Sequence, residues 1–451
     1  MKRMEVGFVA LATIVLVGSV LGLAFVESDE RDDPGAQLDV ELPDVHSFEP
    51  TDEPGVATVN GDRFESVQRA VDVADPGDTV ALEGRFDERV TVDTPGITLA
   101  SGDGMAVIDG GGEGTVLRIE ADEVTVDGVW VRNSGFDTTA EDAGVWIAGA
   151  NATVVDSRIT EITFGVWVDD VDDAVLRGNT VVGHPDVFPP AQRGNGIHLY
   201  RTDGTVVEDN AITAVRDGIY FSFATEVLAR DNRMWDTRFG VHYMYSDDCA
   251  LVNNVAVGND VGYALMVSSD LEILDNVAVD NRGPSGQGIL ILQIDDARIA
   301  GNEVVGNVNG FHVDNSQRID LEDNLILRNE LGISVTTGST LASVAGNSFV
   351  QNDRQVLTPI RAQQHWDGNY WSDASAADLT GDGRSEVRHQ PEGIVETLIY
   401  EHPEVLVFAE SPAFDAIRLA ESSFPVVESP GVVDDRPLVE SDHDWRRYDA
   451  D

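Results

Sequence analysis

Asparagine and glycine recur in this chain at a fixed distance, and that distance constrains the fold more than any other feature. Asn210, Asn232 and Asn254 are each followed eight residues later by Gly218, Gly240 and Gly262. The pattern continues as Asn276…Gly288, Asn302…Gly310 and Asn324…Gly332. The step is 22 residues, stretched once to 26 by an insert around Arg282-Gly283-Pro284-Ser285. A constant period of this length means one supersecondary unit stacked on itself, because a single unit cannot bury its own apolar face.

Aligning the units on their glycines separates the residues by role. One position after the glycine stand Val145, Val166, Ile197, Ile219, Val241, Tyr263, Ile289, Phe311 and Ile333. Three positions after it stand Ile147, Val168, Leu199, Phe221, Tyr243, Leu265, Ile291, Val313 and Val335. Residues two apart in a strand share a face, so these columns point inward and the positions at +2 and +4 point outward. A second asparagine column, Asn259, Asn281, Asn307, Asn329 and Asn352, suits side chains that bond to the coils above and below and satisfy buried corner backbone. The recurring glycine is expected to supply a corner with positive φ. Short strands, tight corners and a period near 22, with no leucine consensus, predict an all-β chain: a right-handed parallel β-helix over 56–357.

The ends differ from the middle. Residues 7–26 form an uncharged apolar run flanked by Lys2-Arg3 and by Glu27…Glu30, long enough to span a bilayer with the body outside. Residues 1–26 are therefore expected to be a signal peptide or membrane anchor, and the rest exported. Residues 27–55, acidic and punctuated by Pro34, Pro43, Pro50 and Pro54, read as a solvated linker. Phe64, Val67, Ala70 and Val71 fall on one face of a short helix that would cap the open end of the stack. Residues 358–400 read as a far-end cap carrying an Asp-rich loop, and 401–451 as a C-terminal extension.

Net charge is −52, from 81 acidic and 29 basic residues, and Lys2 is the single lysine. This excludes the basic surface that nucleic-acid binding needs. Disorder is excluded by the 42% of hydrophobic residues and their strict patterning. Dense acid is screened at molar salt, where the Debye length falls to about 3 Å, so the charge fits a halophilic, archaeal-type protein. Cys249 is the sole cysteine, which leaves no intramolecular disulfide.

On so acidic a chain the outward columns should be Asp, Glu and Thr. The +2 column instead reads Trp146, Trp167, His198, Tyr220, His242, Ala264, Leu290, His312, Ser334, and the +4 column Ala148, Asp169, Tyr200, Ser222, Met244, Met266, Leu292, Asp314, Thr336. An exposed apolar and aromatic stripe of Tyr200, Tyr220, Leu290, Leu292 and His312 marks a partner-facing surface. Within it, His242 and Met244 emerge side by side from one strand, and Met266 sits one rung above Met244, about 4.8 Å away. One imidazole with two thioethers is a soft set suited to Cu(I). His198, two rungs below His242, is a second candidate station. The alternative is that these residues only cover a hydrophobic patch beneath the chain's own tail or a partner.

The loop Asp378, Thr380, Asp382…Glu386 spaces oxygen side chains as a calcium loop does, with Gly383 at its sixth position, but His389 stands where a glutamate is expected. No nucleophile elbow, phosphate loop or His-Glu-x-x-His is present. Sugar-cleaving β-helices need carboxylates converging in a groove, whereas the outward columns hold only Asp169 and Asp314, several rungs apart. The chain is not expected to be an enzyme. A surface protein that binds or modifies carbohydrate is the alternative.

Several stretches carry a family resemblance. Phe64…Gln68-Arg69-Ala70-Val71…Pro76-Gly77-Asp78-Thr79-Val80 looks like the opening of carbohydrate-binding and sugar-hydrolase β-helix domains. Gly240-Val241-His242-Tyr243-Met244-Tyr245-Ser246, Gly368-Asn369-Tyr370-Trp371-Ser372 and the late Phe424-Pro425…Pro437-Leu438 are more specific. Together they resemble the NosD family, over roughly 56–438. The resemblance implies an exported β-helix, without hydrolytic activity, that works with an ABC-type membrane transporter. It also implies a role in assembling the copper sites of nitrous oxide reductase. The matching positions are His242 and Met244; His198, Tyr220 and Met266 come from the column argument alone.

Overall fold

Each repeat becomes one coil of a parallel β-helix. The computed structural model describes residues 40–448, apart from 103, 337, 359–362, 392–394, 396, 397, 400, 401, 409, 410, 415 and 418–430. The apolar run 7–26, the first part of the linker and Phe424-Pro425 lie outside the described residues. Among those described, no helix is long and apolar enough to cross a membrane.

One coil shows the plan. Asp217–Ser222, Leu228–Arg230 and Arg233–Trp235 are three strands separated by tight corners. Each pairs in parallel with its equivalent one coil on: Phe239–Met244, Ala250–Val252 and Val255–Val257. The third strands form a 13-stranded sheet, and the first and second join in a 24-stranded one. The predicted inward columns fill the interior; from Val145 to Val335 every one of them belongs to a single buried cluster. Equivalent aromatics stack, as Phe221 does on Tyr243 at 4.1 Å.

Both asparagine columns are hydrogen-bonded ladders. Asn232 donates from Nδ2 to Asn254 Oδ1 (2.9 Å) and to the Val207 carbonyl (2.9 Å), while its backbone N–H donates to the same Asn254 oxygen (3.1 Å). A buried corner thus loses no hydrogen bond, which is what lets the chain turn so sharply inside the protein. The first ladder runs on through Asn347 and Asn369 and ends on the fully buried Asp434, which accepts from Asn369 Nδ2 (3.1 Å) and Trp371 Nε1 (3.0 Å).

The glycine column has a different cause from the one expected. Gly218, Gly240 and Gly262 are not at positive φ. A Cβ on them would stand 2.4, 2.6 and 2.6 Å from the carbonyl oxygen of the next glycine in the column. The requirement is close approach of backbone to backbone, not a left-handed corner.

The near end is capped as expected. The helix Val67–Val73 buries Val67, Ala70 and Val71, and its N-cap Ser66 accepts from the Arg69 N–H. At the far end Phe349, Trp371 and Trp366 stack, and Gln363–Trp366 pairs with Gly431–Asp434. The described part of the linker, 40–55, is mostly exposed but is pinned to the coils at a few points. Val45 packs on Val182 and Ala214, and its carbonyl accepts from Arg158. Val40 shares a cluster with Trp445 and Tyr448 from the tail, over Val279, Val305 and Leu327. The outer face of the 13-stranded sheet carries apolar side chains, and both straps gain stability by covering them.

Candidate functional site

The outward columns of the first strands behave otherwise than predicted. They face away from the main core, yet most are covered: Trp167 is 5% exposed, His198 and His242 7% each, and Met266 9%. Tyr200, Tyr220, Met244, Leu290, Leu292 and His312 are half-buried, so the stripe is not the open surface expected. Stacking is one reason. Coils about 4.8 Å apart set each ring on its neighbour. Trp146 lies 5.1 Å from Trp167, Trp167 3.8 Å from His198, His198 4.8 Å from Tyr220 and Tyr220 4.6 Å from His242. Phe164 and Phe239, just before their glycines, pack edge-on against Trp167 and His242.

At His242 the ladder ends. The next residue in register is Ala264, a methyl where the lower coils put rings. Met244 pairs in register with Met266, and Met266 with Leu292. Ala264 and Met266 form an apolar cluster with Met244, Phe239, Leu290 and Leu292. His242 and Met244 thus stand two residues apart on one strand, with Met266 in register beside Met244 on the next. His312 stands three coils away and does not join them.

The position before the glycine, which the column alignment did not use, holds the polar partners. Asp217 is wholly buried and accepts from Arg238 Nε (2.8 Å) and Nη2 (2.6 Å) and from His242 Nδ1 (3.1 Å). Burial alone would raise its pKa, but the Arg238 charge and the His242 hydrogen bond overcome this and hold it below the usual carboxylate range. Burial pushes the pKa of His242 below its ordinary value, against the pull of the Asp217 hydrogen bond. Arg216 donates from Nε to Asn195 Oδ1 (3.0 Å), and Asn195 Nδ2 lies 3.3 Å from His198 Nδ1. Burial, with Arg216 adding to it, takes His198 down to about 3. The Nε2 atoms of both histidines are buried and have no hydrogen-bond partner among the described residues. Arg-Asp-Gly at 216–218 and Arg-Phe-Gly at 238–240 were the available signal: two arginines and an acid just before the glycines of adjacent coils.

An orphaned imidazole nitrogen and two thioethers on adjacent strands are chemically soft donors, which suit Cu(I) better than a hard cation. The Asp-rich loop is separate. Oxygens of Asp378, Asp382 and Glu386 lie within 4.8 Å of one another. Asp378 also accepts from the backbone N–H groups of Thr380 (3.1 Å) and Gly383 (2.9 Å).

Known proteins resemble this chain. A family model described as periplasmic copper-binding protein (NosD) matches residues 184–376. A probable ABC transporter binding protein NosD of Pseudomonas aeruginosa is 36% identical over 354 residues, covering 74% of this chain and 82% of the relative. The chain belongs to the NosD family. A NosD protein of Stutzerimonas stutzeri, also described as a probable ABC transporter binding protein, is 35% identical over 357 residues, covering 74% of this chain and 80% of its own. The matched NosD segment includes His198, His242, Met244 and Met266. Among solved structures, the periplasmic alginate epimerase AlgG is 11% identical, covering 68% of this chain and 82% of its own, with a TM-score of 0.46.

Proposed function

We propose that this protein is an exported, non-enzymatic copper-handling factor. It acts outside the cytoplasmic membrane with an ABC-type transporter, and its copper is destined for the sites of nitrous oxide reductase. Copper is cargo in this reading. His242 Nε2 and the sulfurs of Met244 and Met266 would hold it as Cu(I), and the half-buried residues beside them, Tyr200, Tyr220, Leu290 and Leu292, would meet the partner that gives or takes it. The observation that supports this most is the unpartnered, buried Nε2 of His242 on a strand that also carries one of two methionines paired in register. A buried polar atom without a partner costs free energy, and a metal bond removes that cost. The names of the family model and of the relatives support copper and a transporter in general terms.

The test is competition for Cu(I) against a chromogenic chelator in molar salt. Because Met266 packs in an apolar cluster, leucine is the substitution that removes sulfur and keeps volume. Met244→Leu with Met266→Leu should weaken Cu(I) binding at least tenfold while the melting temperature stays within a few degrees. Equal affinity in wild type and double variant would sink the metal site. The carboxylates of Asp378, Asp382 and Glu386 are proposed as a structural Ca²⁺ loop, for which a rise in melting temperature with millimolar calcium is the expected sign.

A further inference from the structure

The two buried histidines have opposite polar partners. Asp217 Oδ2 only accepts, so the proton of neutral His242 sits on Nδ1 and its Nε2 carries a free lone pair. The carboxylate is fixed by the two-pronged Arg238 contact, so it cannot swing away from the ring. His198 faces an amide instead. Arg216 Nε donates to Asn195 Oδ1, which forces the Asn195 Nδ2 toward His198. That amide only donates, so His198 Nδ1 is the acceptor and its proton sits on Nε2. The atoms left without a partner are therefore unlike: a lone pair on His242, an N–H on His198.

We propose that Asp217 is the positioning residue of a one-histidine site for a soft monovalent cation: it makes His242 Nε2 the ligand atom, while Asn195 keeps His198 out of the ligand set. This rests on the copper reading above and goes further, because it names the ligand number and the residue that sets it. A carboxylate behind a ligating imidazole fixes the ring and makes its free nitrogen a better donor. Asp217 stands in the position that is Phe239 one coil above and Asn195 one coil below, so a single coil has this arrangement.

Histidine-selective ¹⁵N NMR of the full chain in molar salt reads each tautomer directly. Wild type should show one Nδ1–H histidine that Asp217→Asn converts to Nε2–H, and one Nε2–H histidine that Asn195→Asp converts to Nδ1–H. Asp217→Asn should weaken Cu(I) binding at least tenfold, in the range that such outer partners command. X-ray absorption of the copper-loaded wild type should show one nitrogen and two sulfurs, and a second histidine nitrogen would overturn the proposal. So would wild-type affinity in Asp217→Asn after its tautomer has changed. That result leaves the site itself standing if the leucine double variant still weakens binding; if neither variant matters, the copper reading has failed instead. Should Asp217→Asn not fold, the wild-type spectrum decides, because His242 with its proton on Nε2 sinks the idea.

Discussion

The strand Phe239–Met244 has two faces, and both are largely buried, but for different reasons. Val241 and Tyr243 point into the coil, where the same kind of side chain recurs in every turn. His242 and Met244 point the other way, where the sequence changes from coil to coil: rings below, a methyl and thioethers above. Uniformity is what a stack needs, since any coil must fit the next. Departure from uniformity costs nothing to the stack on the outer face, so that is where chemistry can be added. The difference teaches that burial alone does not mark a site. An unpaired polar atom does not mark it alone either, since Tyr243 Oη on the inner face also lacks a partner; the outer face differs in that His242 Nε2 shares its strand with Met244, which pairs in register with Met266.

The largest effect should come from breaking the inner repeat. Asn254→Ala would strip partners from the Asn232 backbone N–H and side-chain amide and from the Ala229 carbonyl. A loss of about 3–5 kcal/mol is expected, measured by chemical unfolding in molar salt. Gly240→Ala should cost about 2–4 kcal/mol, because its Cβ would meet the Gly262 carbonyl. If either change is neutral, the inner face is more adaptable than its repetition says. His242→Phe should do the reverse: about 2 kcal/mol lost with the Asp217 contact, but Cu(I) binding abolished. The contrast between faces collapses if this variant unfolds the protein or keeps its copper.

A further effect appears only on acidification. The folded pKa of His198, about 3, lies below its unfolded value of 6.5. Between those values the unfolded chain binds the extra proton, so stability falls as pH drops below about 6.5, by at most about 1.4 kcal/mol per unit from this group. His198→Phe should therefore flatten the dependence of melting temperature on pH between 6.5 and 4. An unchanged slope would mean that His198 is not held neutral by burial.

Much of this molecule is legible in its residues. The glycine register assigned both inner columns, and the two asparagine columns announced the ladders. The capping helix followed from Phe64, Val67, Ala70 and Val71, although Phe64 itself ends a strand. The pair Met244–Met266 followed from the 22-residue step, because parallel coils keep equivalent residues adjacent. Other features escaped. The glycines looked like corner residues, because a sequence does not show how close the next backbone comes. Residues 40–55 are mostly exposed, but the anchoring of Val40 and Val45 escaped, because nothing local says that they meet coils far along the chain.

What the sequence determined by itself is therefore periodic: the coil, its direction of stacking, and which residues share a column. A period is a local property repeated, and it can be counted. Only the tertiary structure decided which outward residues are covered, and that Asp217 and Asn195 turn His242 and His198 into opposite hydrogen-bonding partners. Those facts depend on contacts between neighbouring columns and on which atom of a side chain faces which. No spacing along the chain encodes them.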